Sequence, residues 1–378
     1  MEPKATTIII FSIVTSLSSL PSLMAAASSS NKTTYITAVF GFGDSTIDTG
    51  NNNYLPTNNR AVHPPYGIDF PTHIPNGRVS NGKLAIDFIA SSLAHKIYML
   101  PYLDPKLTDH DLLTGACFAS AGSGLDPLTG MFDNVLNVST QLDLFDEALR
   151  RIERLVGDGK ARFIVENALF FFSVGTNDLL NNFYNVPIRT SEFTISGYQD
   201  FLLHKLEYAI KRLYSKGARR FALSSLGPIG CLPLQVSLFS KKLERRCVEQ
   251  QNNDSIAYNR KLRLLASRLE TQGARVVYCD AYNLTLDFIN NPAKYGFKQT
   301  HKGCCGTGLV EYGRTCNVAT PICQDRSEYH ILGCFTSIAY NSYISCPTCS
   351  SDCDFTCFCQ LELCLFPHPS IITYILKS

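Results

Sequence analysis

One stretch limits the fold more than any other: Asn167-Ala168-Leu169-Phe170-Phe171-Phe172-Ser173-Val174, a short, continuous apolar run. A strand of this kind is covered on both faces, as strands of a parallel sheet are. Val39 to Gly43, Arg220 to Ser224 and Ala274 to Tyr278 read as further strands. Helical patterns lie between them. Asn81–Ala90 and Leu142–Leu155 carry apolar residues at helical spacing, and Ser196 with Gln199 resembles a capping box ahead of Leu202, Leu206, Ala209 and Leu213. A long polar helix is expected from about Lys241 to Gln272, with Leu262, Leu265 and Leu269 facing the core. Asn51–Asn81 and Tyr102–Leu136 read as loops, the first of a length that suits a broad, exposed cleft. Strands alternating with helices predict one doubly wound α/β domain, a parallel sheet between two helical layers.

The 378 residues carry a net charge of +2 with interspersed signs, so no electrostatic footprint for nucleic acid is present. Residues 1–27 read as a secretory signal peptide: Lys4, an apolar Ala5–Leu20 segment, and small residues at Met24-Ala25-Ala26-Ala27. Sequons at Asn31, Asn137, Asn253 and Asn283, and 15 cysteines, suit an oxidising route to an extracellular glycoprotein. The eight cysteines through Cys323 form an even set, read as the disulfide complement. No later run has the length of a membrane-spanning helix, so a soluble mature protein without stable membrane insertion is expected. The chain divides into the signal peptide, a catalytic-type domain over 28–333, and a Cys-rich tail over 334–378 expected to be poorly ordered. That tail has seven cysteines and a single basic residue, Lys377. Its Cys346-Pro347-Thr348-Cys349 spacing suits metal sites, but no histidine lies among the cysteines, which favours disulfides or disorder over zinc.

Three polar clusters fall where loops at the carboxyl edge of the sheet belong, the place where open α/β sheets bind ligands. The first follows Val39–Gly43 and reads Asp44-Ser45-Thr46-Ile47-Asp48, then Asn51-Asn52-Asn53. The second is Cys117-Phe118-Ala119-Ser120-Ala121-Gly122-Ser123-Gly124, and the third is Gly175-Thr176-Asn177-Asp178. Taken singly, each is also what an ordinary strand exit, turn or helix cap uses. Together they supply the parts of an acyl-transfer site. Ser45 is the candidate nucleophile, and its own N–H, the Gly122 N–H and the Asn177 side chain are candidate oxyanion donors.

These motifs make the chain resemble the GDSL esterase/lipase family of secreted plant proteins, within the SGNH hydrolase superfamily. Ser45 falls in the first block, with Thr46 where the family name has Leu; Gly122 matches the second block and Asn177 the third. Asn76–Lys83, Pro228–Pro233 and Gly303–Gly308 also fit, and the likeness runs from about Ala38 to Tyr329. The resemblance implies a three-layer α/β/α fold and a secreted serine ester hydrolase acting on small-molecule, lipid or cell-wall esters. It also implies an Asp-x-x-His-Pro motif soon after Tyr329, which supplies the general base. Here the chain reads His330-Ile331-Leu332-Gly333-Cys334 instead. His368-Pro369 comes about thirty residues late, with Leu365 in the place of the aspartate. The alternative is therefore a catalytically impaired relative without the His and Asp of the triad. No Gly-x-Ser-x-Gly elbow, His-Glu-x-x-His motif or phosphate-binding Gly-rich loop occurs, so no cofactor or metal is expected.

Overall fold

The computed structural model describes residues 36–240, 245–309 and 316–331. The expected signal peptide, Asn31, and the tail with His368 lie outside those residues. Strands β1 (Val39–Gly43), β2 (Leu169–Ser173), β3 (Arg220–Ser224) and β4 (Arg275–Cys279) form a parallel sheet in that spatial order. The register sets Phe40 beside Phe170 and Phe170 beside Phe221. Side chains alternate between the faces. Phe40, Phe42, Phe170, Phe172, Phe221 and Leu223 enter one core, while Val39, Leu169, Phe171 and Ala222 enter the other. The Phe-rich run is thus buried from both sides.

Helix α1 (Ala85–Ala94) covers the second face through Ile86, Ile89 and Ala90. A short turn, α2 (Asp109–Leu112), precedes the segment Thr114–Ser120, which lies along β1 as a further extended edge. Gly41 N donates to Ala116 O (3.1 Å), Phe118 N to Gly41 O (2.7 Å) and Ser120 N to Gly43 O (3.0 Å). This edge was expected as loop. Its run of Gly, Ala and Cys has weak strand propensity, and pairing with β1 supplies what propensity does not.

The first face is covered by α3 (Val138–Val156), α4 (Asp158–Asn167), α6 (Ile195–Ser215) and α8 (Glu249–Thr271). Between β2 and α6 lies α5 (Thr176–Leu179), which continues as a π-helical turn over Leu180–Asn185. Beyond β3 lies α7 (Pro233–Phe239), and beyond β4 lies α9 (Ala281–Asn290). Two boundaries differ from expectation. The cap of α6 is Thr194, whose hydroxyl accepts from Gly197 N (3.1 Å); Ser196 is already helical, and Gln199 is buried donating to Asp254 O. Helix α8 starts at Glu249, well after Lys241, because Val248 is extended and bound to Gly230 O, beside the Cys231–Cys247 disulfide.

A separate parallel pair, β5 (Gln299–Gly303) and β6 (Tyr329–Ile331), adjoins disulfides Cys304–Cys323 and Cys305–Cys316. The cysteine expectation needs correction: six of the eight pair, while Cys117 and Cys279 are buried as thiols. Cys117 sits at the edge outside β1 and Cys279 on β4, separated by the width of the sheet. Strands lie about 4.8 Å apart, so no bridge spans that gap.

The Asn51–Asn81 segment is not the open rim its length suggests. Arg78 is buried against Asp87 through two hydrogen bonds (2.9 and 2.7 Å) and also donates to Met99 O. Asp69 takes two hydrogen bonds from Arg326, both 2.7 Å, which fastens the segment to the chain entering β6. Of the described sequons, Asn253 and Asn283 are exposed, and Asn137 caps α3 by accepting from Thr140 N.

Candidate active site

Ser45 stands on the turn that ends β1. Gly43 has φ +149°, and a Cβ there would lie 1.9 Å from Ser173 O, so only glycine lets the chain leave the sheet this closely. Asp44 N donates to Ser173 O (3.1 Å), and Ile47 N and Asp48 N return to Asp44 O. The buried Asp44 carboxylate accepts from Thr46 N (3.0 Å) and Thr46 Oγ1 (2.8 Å). Thr46, in place of Leu, is exposed and its hydroxyl also meets Ser173 Oγ at 2.7 Å. Ser45 is half-buried, and its hydroxyl bonds no other described residue.

Gly122 is held in place by the polar run after Ser45. Asp48 accepts from Gly50 N and Asn51 N and, across the loop, from Ala121 N, each at 2.8 Å. Asn51 Nδ2 donates to Cys117 O and Ala119 O; Asn52 Nδ2 and Asn59 Nδ2 both donate to Ala121 O. Gly122 itself has φ +89°, and a Cβ would sit 2.7 Å from Asn59 Nδ2. Asn51, Asn52 and Asn59 are thus a set of amide struts under the Gly122 loop.

Asn177 opens α5 and is 8% exposed. Its Nδ2 donates to Ser123 O (2.9 Å), leaving the second amide hydrogen uncommitted. Asp178, fully buried, accepts from Leu125 N (3.0 Å), Asp126 N (2.9 Å) and Thr129 Oγ1 (2.6 Å). The structure therefore brings the segments of Ser45, Gly122 and Asn177 together at one edge of the sheet.

Gln141 was missed. From α3 its Oε1 accepts from Gly43 N (2.8 Å), while Nε2 donates to Gly43 O (2.9 Å) and Ser123 Oγ (3.1 Å). It ties the end of β1 directly to the Gly122 loop. The available signal was a polar residue on the apolar stripe of an amphipathic helix, next to Leu142.

Three carboxylates in these clamps are buried, which raises their pKa values: Asp44 and Asp48 to about 6, Asp178 to about 7. Desolvation outweighs the hydrogen bonds each one accepts. The described histidines lie elsewhere. His63 and His73 bond backbone carbonyls of their own loop; His95, His110 and His204 are exposed. Burial and Arg245 lower the pKa of His301 on β5. His330 on β6 packs against Phe288 and Phe297, and burial pushes its pKa down to about 4. Among the described residues no histidine hydrogen-bonds Ser45, and no cluster of His, Cys, Asp and Glu suits a metal ion. A polar hollow of about 640 Å³ opens at the opposite edge, lined by Arg150, Glu153, Arg162, Glu166 and Arg219; none of the candidate residues reaches it.

The model of the GDSL-like lipase/acylhydrolase family matches residues 39–334. Two Arabidopsis thaliana proteins, each named a GDSL esterase/lipase, are 47% and 46% identical to the chain over 330 residues, covering 86% of it and 91% of each relative. A third of that name and organism is 46% identical over 296 residues, 77% of the chain and 82% of the relative.

Proposed function

The chain belongs to the GDSL-like lipase/acylhydrolase family, and from that membership we propose that Ser45, Gly122 and Asn177 make it a serine ester hydrolase. In this reading Ser45 Oγ gives its proton to the base and attacks the ester carbonyl; the ester C–O bond breaks, the alcohol leaves with that proton, and water then hydrolyses the acyl-enzyme to the free acid and Ser45. The developing oxyanion is held by the N–H groups of Ser45 and Gly122 and by the free hydrogen of Asn177 Nδ2. The observation that carries the proposal is the stitching of the three segments: Asn177 to Ser123, Gln141 to both Gly43 and Ser123, and Asp48 to Ala121. Donors fixed before the reaction stabilise the transition state without reorganising.

The serine also needs a base. Among the described residues no histidine hydrogen-bonds Ser45, and we propose His368 as the candidate base. The absence of Asp-x-x-His after Tyr329 favours a second reading, a GDSL scaffold whose catalytic end is lost. Hydrolysis of p-nitrophenyl butyrate by the full chain, Ser45→Ala and His368→Ala separates the two. Turnover lost in both variants assigns the base to His368; equal background from all three proteins establishes the impaired relative. Three disulfides support export through an oxidising compartment, so we also propose a secreted glycoprotein released from a signal peptide near Ala26 or Ala27. Amino-terminal sequencing of the exported chain tests this.

A further inference from the structure

Beyond Asn177, the chain between β2 and α6 reaches back to the Gly122 loop at further points. Asp178 gathers Leu125 N, Asp126 N and Thr129 Oγ1, and Asn182 of the π-helical turn donates to Thr129 Oγ1 (2.7 Å). Arg189 adds a further link, donating to the Asp126 carboxylate from Nε (2.7 Å) and Nη2 (2.9 Å). A guanidinium that meets both carboxylate oxygens fixes orientation as well as distance. Asp126 is fully buried, and its other hydrogen bonds shape the loop itself. Its Oδ1 accepts from Leu128 N (3.0 Å), its backbone O from Thr129 N (2.9 Å), and its Oδ2 from the buried Tyr198 hydroxyl (3.0 Å).

Arg189 stands on a short helical turn, Arg189–Ser191, none of whose residues is buried. That turn adds nothing apolar to the core; what it sends inward is the Arg189 guanidinium, on which Asp126 closes. Asp126 and Asp178 are buried carboxylates of one network, and among the described residues the ion pair with Arg189 is the only one either of them makes. A buried carboxylate left without its cation is costly, so the ionised Asp126 depends on Arg189. The path from there to the candidate site is short. The Leu125 and Asp126 N–H groups bind Asp178, and Ser123, just ahead of them, offers the carbonyl that accepts from Asn177 Nδ2 (2.9 Å). That bond decides which amide hydrogen of Asn177 stays free, so the aim of Asn177 follows the position of the loop.

We infer that Arg189 is a positioning residue of the candidate site: through Asp126 it fixes the Ser123–Thr129 loop and so aims the free hydrogen of Asn177 Nδ2 at the oxyanion. Arg189 acts through Asn177 and not on the ester itself. The inference rests on the ester-hydrolase reading for what Asn177 binds, but the hold of Arg189 on the loop is measurable without turnover.

The test is a double-mutant cycle on the full chain: the parent, Arg189→Met, Asn177→Ala and the two combined, with kcat and KM for p-nitrophenyl butyrate. Methionine keeps most of the aliphatic stem and removes the guanidinium. Arg189→Met should lower kcat about ten- to a hundredfold with KM within about twofold, as misplacing a donor by up to about an ångström does. Added to Asn177→Ala it should cost less than about twofold more, because a donor that is gone cannot be misaimed. Arg189→Lys, which keeps the charge without the fork, should recover part of the loss. Amide hydrogen exchange of the same proteins supplies the readout free of turnover. Arg189→Met should quicken exchange at least about tenfold in peptides over Ser123–Thr129 and leave β1 to β4 unchanged. Equal kcat losses in both backgrounds, or a change in KM alone, would overturn the inference and leave Arg189 an ordinary structural ion pair. Exchange that is unchanged, or quickened throughout the chain, would overturn it too. Localised quickening in a chain that shows no ester turnover supports the hold on the loop and removes the catalytic reading alone.

Discussion

The residues that decide the site differ in what their loss should do. In the proposed site Asn177→Ala removes an oxyanion donor while Asp178 keeps its clamp, so kcat should fall about a hundred- to a thousandfold with KM little changed. Steady-state kinetics on a p-nitrophenyl ester reads this. Gly43→Ala acts on folding instead, because its Cβ would enter the space of Ser173 O at a φ that L-residues rarely adopt. The turn can form only if β1 and β2 part, and the variant should unfold at clearly lower urea concentration than the parent. Thr46 belongs to neither class. Its side chain points outward to Asp44 and Ser173, so Leu at this position is not needed for packing.

At the scale of elements, strands and site loops were legible for different reasons. The Phe-rich β2 and β3 could be read because burial on both faces leaves a continuous apolar run, and β3 emerged with the expected bounds. Ser45 and Asn177 were readable because each follows directly on a strand, and Gly122 because its Ser/Gly run matches the second block of the family. The Thr114–Ser120 edge was not, since small residues record nothing of the pairing that makes it extended. Gln141 was not readable as a strut either, because its partners lie 98 residues back on Gly43 and 18 back on Ser123. The clamp formed by Asp178 gives a pH prediction. Its pKa is about 7 folded against an ordinary 3.8, so the folded chain holds the extra proton between those values. Stability from this group is full below about pH 4 and is lost as pH rises toward 7. Asp178→Asn should therefore remove part of the decline in Tm across pH 4 to 7, even though its clamp is weaker. An unchanged slope would show that Asp178 does not titrate in that range.

For the molecule as a whole, the long segment after Ser45 is a structural belt anchored by ion pairs at two points in its second half. The buried Arg78–Asp87 pair joins it to α1, and Asp69–Arg326 joins it to the approach to β6. Removing one partner of a buried pair leaves the other charge unmatched, so Arg78→Ala should cost about 3–5 kcal/mol in urea unfolding. Arg326→Ala, which breaks a half-exposed pair, should cost about 1 kcal/mol or less. Equal losses would mean that the belt is not held by its buried pair. The account as a whole turns on Ser45 being an activated nucleophile on this scaffold. Its most direct test is reaction of the full chain with a fluorophosphonate ester, followed by peptide mass mapping. The account predicts one adduct per chain, on Ser45, and no adduct in Ser45→Ala. A folded chain that stays unlabelled, or is labelled equally well without Ser45, would contradict it.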